Sequence, residues 1–216
     1  MLELAVKSLV AYLVGSLMGA LLIGALRGVD IRTLGSGNAG GTNALRTQGG
    51  AFALGVILID VAKGWFAAAV LPGLLLPGID VDPAVGRSWL TAACAAAVTL
   101  GHVYPVWFEF RGGKGAATLI GVLLGVAPRV VPPVLLVWLV TVMLSGYVGL
   151  GTMLGAAAVP VWLASRGPHE PALLALGIGM ALLVIYTHRA NVARMWSGTE
   201  NRANRLWLLR GRSATS

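Results

Sequence analysis

Apolar runs long enough to cross a lipid bilayer recur along the whole of this chain, and nothing else constrains its fold as strongly. A backbone inside lipid must satisfy its own hydrogen bonds, which leaves α-helices or closed β-barrels. The runs are continuous in Leu, Ala, Val and Gly with no period-2 alternation, so an all-α integral membrane protein follows. Composition agrees: of 216 residues 57% are hydrophobic and only 11% charged, far outside the usual soluble mix. Cys94 is the single cysteine, which excludes a disulfide framework within the chain and reads as packing. The first run is longer than the apolar core of a cleavable signal and follows Glu3, so it reads as a retained segment.

The runs predict seven transmembrane helices, at about 4–26, 51–71, 88–104, 116–128, 133–146, 152–165 and 172–187. The fourth and fifth are short, with "APRVVPP" between them; they could instead form one long broken helix or a tightly connected pair lying deep in the membrane, and six is the fallback count. The whole chain, 1–216, reads as a single polytopic membrane domain with a basic tail from about 189 to 216. Orientation follows the bias of Lys and Arg toward the cytoplasm. Arg27, Arg32, Arg46, Arg111, Lys114, Arg189, Arg194, Arg202, Arg205, Arg210 and Arg212 fall on one set of connections, while Lys7, Arg87, Arg129 and Arg166 fall on the other. This predicts an amino terminus outside and a cytoplasmic carboxyl terminus, where "ENRANRLWLLRGR" can meet anionic headgroups. Trp107, Trp138, Trp162 and Trp196 suit interfacial belts, and His169 in "GPHEP" suits a solvent-facing outer loop.

Three stretches break the apolar pattern: "DIRTLGSGNAGGTNALR", "GHVYPVWFEFRGGKGAAT" and "THRANVARMWSGTENR". All three fall on the cytoplasmic side in this assignment. Glycine-rich backbone can turn consecutive N–H groups toward an anion, and Ser36, Asn38, Thr42 and Asn43 add neutral donors beside it. In the second stretch Gly112, Gly113 and Gly115 bracket Lys114, giving a cation open access to phosphate oxygens. In the third, His188 and Asn191 share a helical face at i, i+3 and offer a group able to move a proton. "RGGKGAAT" is not a P-loop, because Gly115 stands where Ser or Thr is required and Phe108 where the first glycine should be. "GSGNAGG" lacks the preceding strand of a dinucleotide site.

Together and in order, the three stretches closely resemble the signature motifs of the acyl-phosphate:glycerol-3-phosphate acyltransferases, the PlsY family of bacterial membrane enzymes. The first motif, near G-S-G-N-x-G-A-T-N-x-x-R, is matched by Gly35, Ser36, Gly37, Asn38, Gly40, Thr42, Asn43 and Arg46, with Gly41 for the usual Ala. The second, G-H-x-F-P-x-W-x-x-F-K-G-G-K-G, is matched by Gly101, His102, Pro105, Trp107, Phe110 and "RGGKG", with Tyr104 for Phe and Arg111 for Lys. The third, H-R-x-N-I-x-R-x-x-x-G-x-E, is matched by His188, Arg189, Asn191, Arg194, Gly198 and Glu200, and "DVAKG", Asp60 to Gly64, is similar to the family's D-x-x-K-G. Two departures are larger. Leu17 and Met18 stand where Ile-Pro is common, and "GYVGLGT" replaces R-Y-V-S-L-x-S, so that Gly149 stands for a serine and Thr152 keeps a hydroxyl.

The resemblance implies transfer of a fatty acyl chain from acyl phosphate to the 1-hydroxyl of glycerol 3-phosphate, giving lysophosphatidic acid in phospholipid synthesis. It implies no cofactor and no metal, and we expect a monomer in the bacterial cytoplasmic membrane with its site facing the cytoplasm. A nucleic-acid partner is suggested only by the net charge of +8 and is undercut by the hydrophobicity. An acyl phosphate is already activated, so the protein needs to hold two phosphorylated species, orient the hydroxyl and stabilise an oxyanion. His188, Asn191, Lys114 and Ser36 are the catalytic candidates. Substrate contacts are expected from Gly35, Ser36, Gly37, Asn38, Thr42, Asn43, Arg46, Gly112, Gly113, Lys114, Thr118, His188 and Asn191, with oxyanion donors among the N–H groups of Gly112 to Lys114. The substrate's own phosphate could replace His188 as base. His102 is expected to position the second loop, and Asp60 with Lys63 to form an ion pair inside a span. A transporter of an organic phosphate is the alternative from another class, although its site should lie near the bilayer midplane. The H-x-x-x-x-D spacing of acyl-CoA-dependent enzymes is absent after His102, His169 and His188.

Overall fold

The computed structural model describes residues 1–166 and 170–209; His169, Arg210 and Arg212 lie outside the described residues. The first apolar run does not form the single helix expected over 4–26. α1 (Leu2–Gly15) stops and α2 (Gly19–Leu26) leaves it at 45°. The break is stabilised from the next segment of the chain: Lys63 Nζ donates to the carbonyls of Gly15 and Leu17 at 2.9 and 3.0 Å. The Gly19 N–H reaches Asp60 Oδ1 at 3.4 Å, and Lys63 and Asp60 are themselves paired at 2.9 Å. A broken helix in an apolar setting needs such partners for its freed backbone groups.

The chain continues through α3 (Gly41–Gln48), α4 (Gly50–Trp65), α5 (Arg87–Val103), α6 (Ala116–Val126), α7 (Val131–Ser145), α8 (Val148–Ala164), α9 (Pro171–Thr187) and α10 (Arg189–Trp196). The described residues form no β-strand. Three helical segments are long and apolar enough to cross a membrane, at Gly50–Gly73, Arg87–Phe108 and Pro128–Ser145. The bent pairs α1 with α2 and α9 with α10 bring the number to five, and α6 and α8 are shorter apolar helices. A single tight turn at Pro128–Val130 joins α6 to α7, so the short pair is two elements closely linked.

Lipid supplies no hydrophobic drive between helices, and close backbone contact replaces it. α1 meets α5 where a Cβ on Gly15 would run into the Val98 carbonyl and one on Gly101 into that of Tyr12. α4 meets α6 in the same reciprocal way, Gly64 against Thr118 and Gly121 against Val61. At the end of the bundle away from the three polar stretches, buried Glu3 accepts from Lys7 at 2.8 Å and from Arg87 at 3.0 Å, closing that end with paired charge. A separate apolar cluster of Met18, Leu21, Ile31, Ala39, Ala44, Phe52 and Val56 fixes the first polar stretch against α2 and α4.

Candidate active site

The three polar stretches meet at one end of the bundle, and specific bonds hold them there. Arg32 is paired with Asp30 at 2.8 Å and also donates to the Phe108 carbonyl at 3.2 Å, tying the first stretch to the second. Thr187 Oγ1 donates to the Lys114 carbonyl at 3.1 Å, and Lys114 Nζ donates to Asn191 Oδ1, tying the second to the third. Between them lies a cavity of about 310 Å³ whose wall includes Ser36, Asn38, Gly40, Gly41, Thr42, Asn43, Arg46, Lys114, His188 and Asn191.

The first stretch lines the cavity with the start of α3, where Gly40 supplies no side-chain cap. The first N–H groups of a helix have no partner inside it, and here they border the cavity. Among the described residues, no protein partner holds the polar side-chain atoms of Ser36, Asn38, Thr42 or Arg46, so these donors are free for a ligand. Asn43 is different. Its Oδ1 accepts from the Ser36 N–H at 2.9 Å, and its Nδ2 donates to the carbonyls of Leu34 and Ile31 at 2.9 and 3.2 Å. Its amide is therefore bonded within the loop, although the residue also borders the cavity.

The second stretch doubles back on the end of α5. Gly112 donates to the Val103 carbonyl at 3.2 Å and Gly113 to that of His102 at 3.1 Å. A Cβ on Gly113 would strike the His102 imidazole, and one on Gly112 the His102 carbonyl, so both positions require glycine. These bonds occupy two of the three N–H groups expected to stabilise an oxyanion. Only that of Lys114 is left without a protein acceptor among the described residues. Gly35, Gly37, Gly112, Gly113 and Thr118 are not in the cavity wall, and Thr118 is fully buried with an unpartnered hydroxyl.

Burial, reinforced by the charge of Arg194, pulls Lys114 down from its ordinary value of 10.5 to about 8, while Glu200 acts in the opposite direction. In the third stretch the His188 Nδ1 lies 2.8 Å from the Val184 carbonyl. That contact assigns the proton to Nδ1 and leaves Nε2 as an acceptor. Asn191 Nδ2 donates to Glu200 Oε1 at 2.7 Å, and Arg194 Nε to Glu200 Oε2 at 2.6 Å. Glu200, Arg194 and Asn201 join the wall, as do Asp60 and His102, to which the sequence reading gave no ligand contact. His102 Nδ1 is 3.4 Å from Asp60 Oδ1. Both are buried inside the bundle, and the fold brings the "DVAKG" and second-stretch residues together at the cavity wall.

Below the polar groups the cavity becomes apolar, walled by Leu119, Ile120, Val134, Leu135, Trp138, Ala156 and Val184. Trp138, expected in an interfacial belt, faces this slot. Thr152 also reaches the wall, although its hydroxyl bonds back to Val148 at 2.9 Å. Gly149 stands against Asn191, and a Cβ there would come within 3.0 Å of its amide nitrogen. Among the described residues no three His, Cys, Asp or Glu side chains converge as metal ligands do.

Comparison with known proteins bears on the family and the fold. The glycerol-3-phosphate acyltransferase family matches residues 5–198. The glycerol-3-phosphate acyltransferase of Chlorobaculum tepidum is 39% identical over 216 aligned residues, covering 89% of this chain and 93% of that protein. That of Geobacter sulfurreducens is 40% identical over 203, covering 94% and 98%. Two crystal structures of PlsY (YgiH), an integral membrane glycerol 3-phosphate acyltransferase, are 34% identical and cover 92% of this chain and 94% of theirs. The glycerol 3-phosphate form gives a TM-score of 0.80 and the lysophosphatidic acid form 0.78. With the family matched over nearly its whole length and the fold shared with solved members, the chain belongs to the glycerol-3-phosphate acyltransferase family.

Proposed function

We propose that this protein transfers a fatty acyl group from acyl phosphate to the 1-hydroxyl of glycerol 3-phosphate, giving lysophosphatidic acid and inorganic phosphate. One observation carries the reading: a cluster of unpartnered donors, Ser36, Asn38, Thr42 and Arg46 with Lys114 opposite, sits at the head of an apolar slot. Such a cavity accepts a phosphorylated head and a hydrocarbon tail together. We assign the acyl phosphate to the first loop and the start of α3, its chain entering the slot beside Val134 and Trp138. Arg46 and Lys114 clamp glycerol 3-phosphate, with Asn191 holding Lys114 in place.

The hydroxyl oxygen attacks the acyl carbonyl carbon, the carbon–oxygen bond to phosphate breaks, and phosphate leaves with the electron pair. His188 Nε2 receives the hydroxyl proton. The Lys114 N–H is the backbone donor available to the developing oxyanion. Three long segments, two bent pairs and two short apolar helices are consistent with seven membrane segments. The excess of Arg and Lys at the site end favours a cytoplasmic site, a carboxyl terminus on the same side and an amino terminus outside, in the bacterial inner membrane. We expect a monomer, with acyl phosphate entering from the lipid.

The deciding experiment is phosphate release by detergent-purified protein given palmitoyl phosphate with and without glycerol 3-phosphate, and palmitoyl-CoA as control donor. Release that needs both acyl phosphate and glycerol 3-phosphate supports the reading. No turnover by folded protein with either donor would shift it to transport of an organic phosphate.

The depressed Lys114 value gives a pH signature. Burial favours the neutral amine, so Lys114 is charged below about pH 8 and loses its proton above it. Calorimetric affinity for glycerol 3-phosphate is expected to be level between pH 7 and the onset of that titration, then to weaken toward about pH 9.5. Affinity unchanged across that range would remove Lys114 from the phosphate clamp.

A further inference from the structure

The segment after residue 198 lies beyond the family match, yet it folds back onto the turn between α7 and α8. The Ala203 N–H donates to the Gly146 carbonyl at 2.7 Å, Leu208 N–H to Met143 at 2.9 Å and the Trp207 indole N–H to Leu144 at 3.2 Å. These carbonyls belong to the end of α7, where helix geometry leaves acceptors without partners. Arg202 fills the space between two rings, 4.0 Å from the centroid of Trp207 and 4.7 Å from that of Tyr147, and donates to the Tyr147 hydroxyl at 3.0 Å. Gly146 has φ +77°, and a side chain there would crowd the Trp207 ring at 3.1 Å.

The two ends of this strap flank one residue. Tyr147 leads directly into α8, whose Gly149 lies against one side of Asn191, while Glu200 at the start of the strap accepts a hydrogen bond from the same amide. Asn191 in turn accepts from Lys114. We infer that Arg202 and Trp207 are positioning residues for the acyl-transfer reaction: by joining the α7–α8 turn to the Glu200 segment they close a clasp on Asn191 and so aim Lys114 at the phosphate of glycerol 3-phosphate. This rests on the assignment of that phosphate to Lys114.

The chemistry of the clasp predicts a KM effect confined to one substrate. In full-length purified protein, Trp207→Ala and Arg202→Ala raise KM for glycerol 3-phosphate about tenfold, with kcat within about twofold and KM for palmitoyl phosphate unchanged. Trp207→Phe keeps the ring over Arg202 and recovers most of the loss. Glycerol 3-phosphate also slows tryptic cleavage after Arg202 and Arg205 in the parent protein, and Trp207→Ala abolishes that protection. Unchanged KM in both alanine variants, or an equal loss for both substrates accompanied by a lowered melting temperature, overturns the inference. Lys114→Ala assayed in parallel separates the two ideas. If it is inactive while the strap variants behave as the parent, the clamp stands and the clasp fails; if it is fully active, the assignment beneath both fails.

Discussion

Lys114→Ala is expected to lower kcat/KM for glycerol 3-phosphate by about a thousandfold, equivalent to about 4 kcal/mol, while the protein stays folded. The two halves of this expectation come from different atoms of one residue. The Lys114 backbone is fixed by Thr187, which bonds its carbonyl, and by the glycines before it, and alanine keeps both. The ammonium has Asn191 as its hydrogen-bond partner and otherwise borders the cavity, so no core packing depends on it. Its removal takes a cation from a desolvated anion site, where each charge counts for far more than on a wet surface. Phosphate release from palmitoyl phosphate measures the loss, and a melting curve of the detergent-solubilised variant checks the fold. Retention of most of the rate would place the glycerol phosphate elsewhere.

Asp60→Ala should act in the opposite manner, on the fold first and on activity through it. Asp60 is 1% exposed and its carboxylate pairs with Lys63, which is 6% exposed. Removing the carboxylate strands a buried cation and costs about 3–5 kcal/mol. For a chain of this size the melting temperature should fall by roughly ten degrees. The damage should spread to the α1–α2 break, because Lys63 also holds the carbonyls of Gly15 and Leu17. Asp60→Ala combined with Lys63→Met removes the stranded charge and should melt above the single variant, while leaving those carbonyls unsatisfied. A single variant that melts with the parent would show that the pair does not support the break.

Much of this was legible in the residues. Long Leu, Ala and Val runs permit only backbone-satisfied helices in lipid, and most of the helices fall close to where those runs predict them. The spacing of Gly35 to Arg46, Gly112 to Lys114 and His188 to Asn191 is local information, and the family match follows from it. The break in the first segment was not legible, because no proline marks it and its stabilising partner, Lys63, lies 48 residues beyond Gly15 and 46 beyond Leu17. The Asp60–Lys63 pair was legible from its i, i+3 spacing inside an apolar run, but the approach of His102 to Asp60 and their shared place at the cavity wall were not, since the two lie 42 residues apart in sequence.

By itself, then, the sequence determined the solvent this chain folds in, the type of secondary structure and the chemistry of the groups it carries, because hydropathy and local motif spacing are properties of neighbouring residues. Which of those groups are free to meet a ligand was decided only by the tertiary structure. Asn43 and Thr42 are adjacent polar residues of similar promise on paper, yet Asn43 spends its amide on Ser36, Leu34 and Ile31 while the Thr42 hydroxyl borders the cavity. The N–H groups of Gly112 and Gly113 are likewise taken by α5, and that of Lys114 is not. A hydrogen bond is made or lost over about half an ångström, and the partner that makes it is brought to that distance by long-range packing rather than by sequence proximity.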